Sequence, residues 1–192
     1  MGVSTTVGRV RKTFYRARIV DEKEVYTPDG VGPPPPERAK AGRGNPEGIP
    51  YFYLADLPET AIREIRPKSG DRVWTATYKA TKRLKVIDLR FGYIRSPFRY
   101  ALKDLPEMVK KVFLLQHLSQ DLAKPVKSKT ARLDYLPTQY LCELIKSRAY
   151  EGILYKSAVG PGSNFMVFSD RHFRLVSHNE VRYQKNMKLS ST

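Results

Sequence analysis

A chain of 192 residues with 41% hydrophobic and 11% aromatic side chains has the material for one packed domain. No apolar stretch reaches the ~18 residues of a membrane span, and the opening residues MGVSTTVGRVRKTFYR lack the apolar core of a secretory signal. One cysteine, Cys142, excludes an internal disulfide, and with three histidines at no ligand spacing it leaves no zinc set. The expectation is a cytoplasmic protein with no metal and no membrane partner. The formal charge of +16 points to anionic partners. Its arginines and lysines are dispersed rather than gathered in one run, so a solvated basic surface competes with an acidic protein or a nucleic acid, which stays open.

Residues 1–192 are read as one domain, with 1–12 and 184–192 as loose ends. Thr13 to Val20 has the composition of a strand, and the two-residue repeat puts Arg16 and Arg18 on one face. Asp29 to Lys40 contains the run Pro33–Pro36, which favours extended backbone and opposes helix, and is read as a stiff strap. Gly42, Gly44, Asn45, Pro46 and Gly48 then make a turn. Tyr51 to Ala55 is a short aromatic strand. Asp56 has the character of an N-cap for a helix opening with Pro58 and Glu59, with Ala61, Ile62 and Ile65 as its apolar face and Glu64 well round from Ile62.

Arg72 to Ala80 and Leu84 to Leu89 read as strands, and Phe91 to Tyr100 as irregular and aromatic. Lys103 to Leu122 keeps a helical apolar stripe up to Pro125. Tyr135 to Arg148 is the next helix, with Pro137 at its start and Thr138 and Gln139 in its first turn. Gly152 to Tyr155 is a strand followed by Ser157. Gly160, Pro161 and Gly162 turn the chain into a strand over Asn164 to Phe168, and Phe173 to Tyr183 supplies another. Strands outnumber helices, and the mixture reads as α+β.

There is no phosphate-binding P-loop, no complete dinucleotide fingerprint and no Ser-His-Asp spacing. What remains as candidate chemistry is arginines, tyrosines, one glutamate and one serine. Taken singly, each has a plain structural explanation. Glu64 would be a solvated helix residue paired with Lys68, Tyr53 half-buried sheet packing, Arg43 a loop cation and Ser157 a turn former.

Five blocks in order change that weighting: FYRAR at 14–18, GRGNPEGIPYFYLA at 42–55, TAIREIRP at 60–67, YLPTQYLCELI at 135–145 and EGILYKSAVGPGSNFMVF at 151–168. Together they resemble the RES-domain family. The resemblance implies an ADP-ribosyltransferase-like fold, a twisted, split β-sheet core with flanking helices. It also implies an enzyme that consumes NAD, in several members the toxin of a toxin–antitoxin pair. Cleaving the nicotinamide–ribose bond builds positive charge on the ribose. That requires a carboxylate, arginines for the pyrophosphate and aromatic surfaces for the ring, and no metal.

Carried over by motif, Arg16, Arg43, Tyr53, Glu64 and Ser157 are the residues expected to line the NAD site, with Glu64, Arg43 and Tyr53 as the catalytic group. Arg16 and Arg43 are assigned to the phosphates and Tyr53 to the nicotinamide side. Glu64 takes the ribose, and Ser157 makes a hydroxyl contact with nicotinamide or an incoming phosphate. Arg18, Tyr15, Asn45, Tyr51 and Asn164 belong to the matching blocks and rank lower. The ADP-ribose is expected to pass to water or phosphate; transfer to a protein or nucleic acid is the alternative, and a non-enzymatic basic nucleic-acid-binding module is the second. An antitoxin protein covering the site is the partner the resemblance implies. The oligomeric state and the acceptor are left open.

Overall fold

A computed structural model describes residues 13–23, 27–90, 102–124 and 131–184. The expected ends at 1–12 and from 185 on, the stretch at 91–100 and Pro125 lie outside the described residues. The elements are β1 (Thr13–Val20), β2 (Phe52–Ala55), α1 (Pro58–Ile65), β3 (Arg72–Ala80), β4 (Val86–Asp88), α2 (Leu105–Ala123), α3 (Ala131–Ser147), β5 (Gly152–Lys156), β6 (Ser163–Val167) and β7 (Phe173–Arg182).

Among the described residues seven strands form one sheet, in the order β4-β5-β6-β2-β1-β3-β7, and with the helices make an α+β fold. Every pairing is antiparallel except β4 with β5. Its two halves are tightly laddered: β1 and β3 pair from Thr13↔Lys79 to Val20↔Arg72, and β2 and β6 pair from Phe52↔Val167 to Ala55↔Asn164. Between the halves, β1 and β2 meet only at Tyr15↔Ala55. The sheet is therefore nearly split at its middle, as the resemblance implies.

The alternation of side chains sorts the core onto two faces. On one, Phe14, Phe52, Trp74, Leu154 and Phe165 pack together, with Phe52 edge-on to Tyr78 at 4.8 Å between ring centroids. The proline strap closes this face. Val31 is buried, and Gly30 lies so close to Trp74 that a Cβ there would stand 2.8 Å from the indole. On the other face Tyr51, Ile153 and Met166 pack with Leu118 and Leu122 of α2 and Cys142 of α3.

Three expectations need correction. Short 3-10 turns at Pro28–Val31 and Pro36–Arg38 interrupt the strap, because the fixed φ of proline suits a 3-10 turn as well as extended backbone. α3 starts at Ala131 rather than Tyr135, so Pro137 lies inside it. There it forfeits the bond to the Leu133 carbonyl, a loss the helix-forming residues before it outlast. The residue at the N-cap of α1 is Leu57, with no side-chain cap bond. Asp56 instead accepts the Ser163 backbone N–H at 2.7 Å and donates its own N–H to the Ser163 carbonyl, so its carboxylate is drawn to the neighbouring strand.

α3 has two unlike faces. Thr138, Gln139 and Cys142 are buried, while Leu133, Leu136, Tyr140 and Leu144 are exposed. Among the described residues no helix is long and apolar enough to cross a membrane.

Candidate active site

Where β1 and β2 part, a cleft of about 300 Å³ opens, lined by Tyr15, Arg16, Ala17, Tyr53, Leu54, Ala55, Ala61, Glu64, Ile65, Tyr155 and Asn164. Among the described lining residues only Arg16 and Glu64 are charged.

Glu64 rides on α1, whose buried Thr60, Ala61 and Ile62 seat it against the sheet. Its Oε1 accepts a hydrogen bond from Ser157 Oγ at 2.7 Å and one from Asn164 Nδ2 at 2.6 Å. Glu64 is exposed, and its partners are these two donors rather than Lys68. Asn164 lies on β6 and is buried. Ser157 follows β5, its hydroxyl accepting the backbone N–H groups of Val159 at 3.1 Å and Gly160 at 2.9 Å.

Arg16 lies in the split itself. Its Nη1 donates to the Tyr53 carbonyl at 3.2 Å and its guanidinium sits 5.3 Å from the centre of the Phe52 ring. Its Nε is buried with no hydrogen-bond acceptor. Burial pulls its pKa down to about 10, so at neutral pH it is still a cation. Arg18, two residues on, is held elsewhere, with Nη1 donating to the Gly30 carbonyl at 3.0 Å beside Trp74; it is not part of the lining.

Tyr53 is positioned by the glycine turn. Its hydroxyl donates to Asn45 Oδ1 at 2.7 Å. The buried Asn45 amide nitrogen reaches the carbonyls of Lys40, Pro46 and Ile49 at 2.9–3.1 Å. Gly42 and Gly44 are required by this closeness: a Cβ on Gly42 would stand 2.6 Å from Asn45 Oδ1, and one on Gly44 2.0 Å from Met166 Sδ. Burial raises the Tyr53 pKa, against a bond from the Gly44 backbone and the charge of Arg43. Burial also raises that of Tyr155. Both phenols stay protonated at neutral pH.

Arg43 is not among the lining residues. Its Nη1 donates to the Leu122 carbonyl at 2.6 Å, at the end of α2, though its charge is felt at Tyr53 and Tyr155. Tyr51 points into the second core, bonded to Glu143 and packed 5.0 Å from Phe168. Of the sequence-derived residues, then, Arg16, Tyr53, Glu64, Tyr15 and Asn164 share the cleft wall. Ser157 touches it through Glu64, Asn45 supports it, and Arg43, Arg18 and Tyr51 bond elsewhere.

Two features escaped the sequence reading. Tyr155 lines the cleft; the two-residue repeat of β5 puts it on the same face as Ile153. Thr138 and Gln139 grip the glycine turn: Thr138 Oγ1 donates to the Arg43 carbonyl, and Gln139 Nε2 donates to the carbonyls of Gly42 at 2.7 Å and Asn45 at 3.0 Å. Among the described residues no group of three or more His, Cys, Asp or Glu gathers as metal ligands would.

The fold and the site define an α+β protein whose central sheet parts over a cleft of tyrosines, one arginine and one carboxylate. Residues 13–189 match the RES domain, and the chain belongs to that family. Among solved structures it is similar to the crystal structure of the M. tuberculosis MbcT–MbcA toxin–antitoxin complex. The TM-score is 0.56 at 16% sequence identity, over 90% of this chain and 85% of that one. No curated protein matches the sequence.

Proposed function

We propose that this protein consumes NAD by cleaving the bond between nicotinamide and ribose C1′, and that it acts as a growth-arresting toxin. The observation that carries the reading is Glu64: a carboxylate fixed by two donors in the wall of a cleft that otherwise offers phenols and one guanidinium. The C1′–N bond breaks with its electron pair leaving on neutral nicotinamide. C1′ gains positive charge, which a carboxylate held beside it stabilises. An oxygen of water or phosphate then bonds to that carbon, which is C1″ of the product, giving ADP-ribose or ADP-ribose-1″-phosphate, and a proton is released.

Arg16 supports an anionic substrate. A half-buried cation without a carboxylate partner among the described residues is costly, and a phosphate oxygen would supply what its buried Nε lacks. Tyr53 orients the nicotinamide side. Arg43, tied to α2, contributes positive potential behind Tyr53 and Tyr155. No prosthetic group is part of this reading; NAD is the substrate and phosphate a candidate co-substrate. A restraining antitoxin that covers the cleft belongs to it as well, and the exposed apolar stripe of α3 is surface a protein partner can bury.

Purified protein incubated with NAD, with and without phosphate, and resolved by mass tests the reading. Free ADP-ribose means hydrolysis, and ADP-ribose-1″-phosphate that requires phosphate means phosphorolysis. Label on an added protein or nucleic acid means transfer. Intact NAD in every arm overturns the proposal.

A further inference from the structure

We infer that Ser157 does not touch the substrate: with Asn164 it is a positioning residue that fixes Glu64 by one oxygen and leaves the other for the ribose. This rests on the NAD reading and revises the role the motif alone gives to Ser157.

A serine hydroxyl has one proton to give and two lone pairs to receive. Around Ser157 all three are committed. The lone pairs take the N–H groups of Val159 and Gly160, so the proton is left to point at Glu64 Oε1. Nothing remains for nicotinamide or phosphate. Asn164 Nδ2 donates to that same oxygen. Oε2 accepts from none of the described residues, so it is the oxygen available in the cleft.

The loop that carries Ser157 is itself clamped to α1. Gly162 N–H donates to Thr60 Oγ1 at 3.1 Å, and Ser163 N–H donates to Asp56. Gly160 and Gly162 admit no side chain: a Cβ would lie 2.7 Å and 2.8 Å from Thr60 Oγ1, respectively. Thr60 and Glu64 are one helical turn apart, on one face of α1. The loop thus grips α1 at Thr60 and its carboxylate at Glu64, and sets the height and rotation of that side chain together. A displacement of about 1 Å in a reacting group is enough to cost on the order of 100-fold in rate.

The experiment is steady-state kinetics of NAD turnover together with NAD affinity by calorimetry. It compares wild type, Ser157→Ala, Ser157→Thr and Asn164→Ala, and Ser157→Ala in a Glu64→Gln background. Positioning predicts that Ser157→Ala and Asn164→Ala lower kcat about 10- to 100-fold while the NAD dissociation constant stays within about twofold. Ser157→Thr, which keeps the hydroxyl, recovers most of the rate. Ser157→Ala has no further effect once Glu64 is Gln. Should Ser157→Ala fail to fold, Asn164→Ala reads the same split between rate and affinity. Weakened NAD binding with kcat retained, or losses that multiply in the Glu64→Gln background, would show that Ser157 meets the substrate and overturn the inference alone. A wild-type chain that leaves NAD intact would remove the reading beneath it as well.

Discussion

Arg16 concentrates the tension in this site. Strand side chains are either in or out, yet this one sits where β1 and β2 pair at a single position, its Nη1 on the Tyr53 carbonyl and its Nε without an acceptor. A half-buried cation with no carboxylate partner among the described residues costs the fold stability. Arg16→Met is expected to leave the melting temperature equal or higher and to weaken NAD binding by about ten-fold or more, the worth of a charge-assisted contact. Thermal denaturation and calorimetry check the two halves; a large fall in melting temperature with normal affinity would make Arg16 structural. The sign of the pH effect follows from its lowered pKa, about 10. The cation persists through neutral pH and is lost as pH rises through that value, so affinity for NAD is flat from about pH 7 to 9 and declines above it. Cys142 gives a simpler expectation. It is fully buried, and burial pushes its thiol up to about 12, so a thiolate-seeking reagent at pH 8 should label it only after denaturation. Labelling of the native protein would contradict its place in the second core.

At the scale of elements, the glycine turn and α3 behave as one unit. Gln139 holds two carbonyls of the turn and Thr138 a third, so α3 presents its polar buried face to the loop that seats Tyr53. Gln139→Ala should cost about 1–3 kcal/mol, because the Gly42 carbonyl loses the side-chain donor and the Asn45 carbonyl keeps only the Gly42 N–H, read as a lower denaturant midpoint. Gly44→Ala should cost about as much through overpacking against Met166. An unchanged midpoint in either variant would mean the loop is not held this way. Much of this was legible beforehand. The strands of β1, β2 and β3, the turn and the apolar face of α1 followed from alternation and from glycine and proline placement. Asp56 misled because cap preference is local, whereas the bond it makes is to Ser163 across the sheet. Pro137 misled because a proline looks like a helix start even when earlier residues can extend the helix past it. The pairings of Ser157 and Asn164 with Glu64 could not be read at all, since they join segments about a hundred positions apart.

Across the whole molecule, the charge of +16 and the charge of the cleft tell different stories. Among the described residues the cleft wall holds one cation and one carboxylate, whereas cations such as Arg63, Lys82 and Arg83 form an exposed basic surface. That surface raises the local concentration of anions such as NAD and any acidic partner, an effect that salt weakens. Association of NAD should therefore slow as ionic strength rises, while the rate at saturating NAD stays level. A saturated rate that falls in step would mean that salt perturbs the site itself. The sheet that parts between β2 and β1, and the helix that delivers a carboxylate to the gap, are what make a cleft out of an otherwise continuous sheet. That arrangement stands or falls with one side chain. Nicotinamide release from NAD, compared between wild type and Glu64→Gln with both melting curves in hand, is the direct measurement. The expected result is turnover by wild type and a loss of at least ~100-fold in the variant, at an unchanged melting temperature. Equal rates from two equally folded proteins would contradict it.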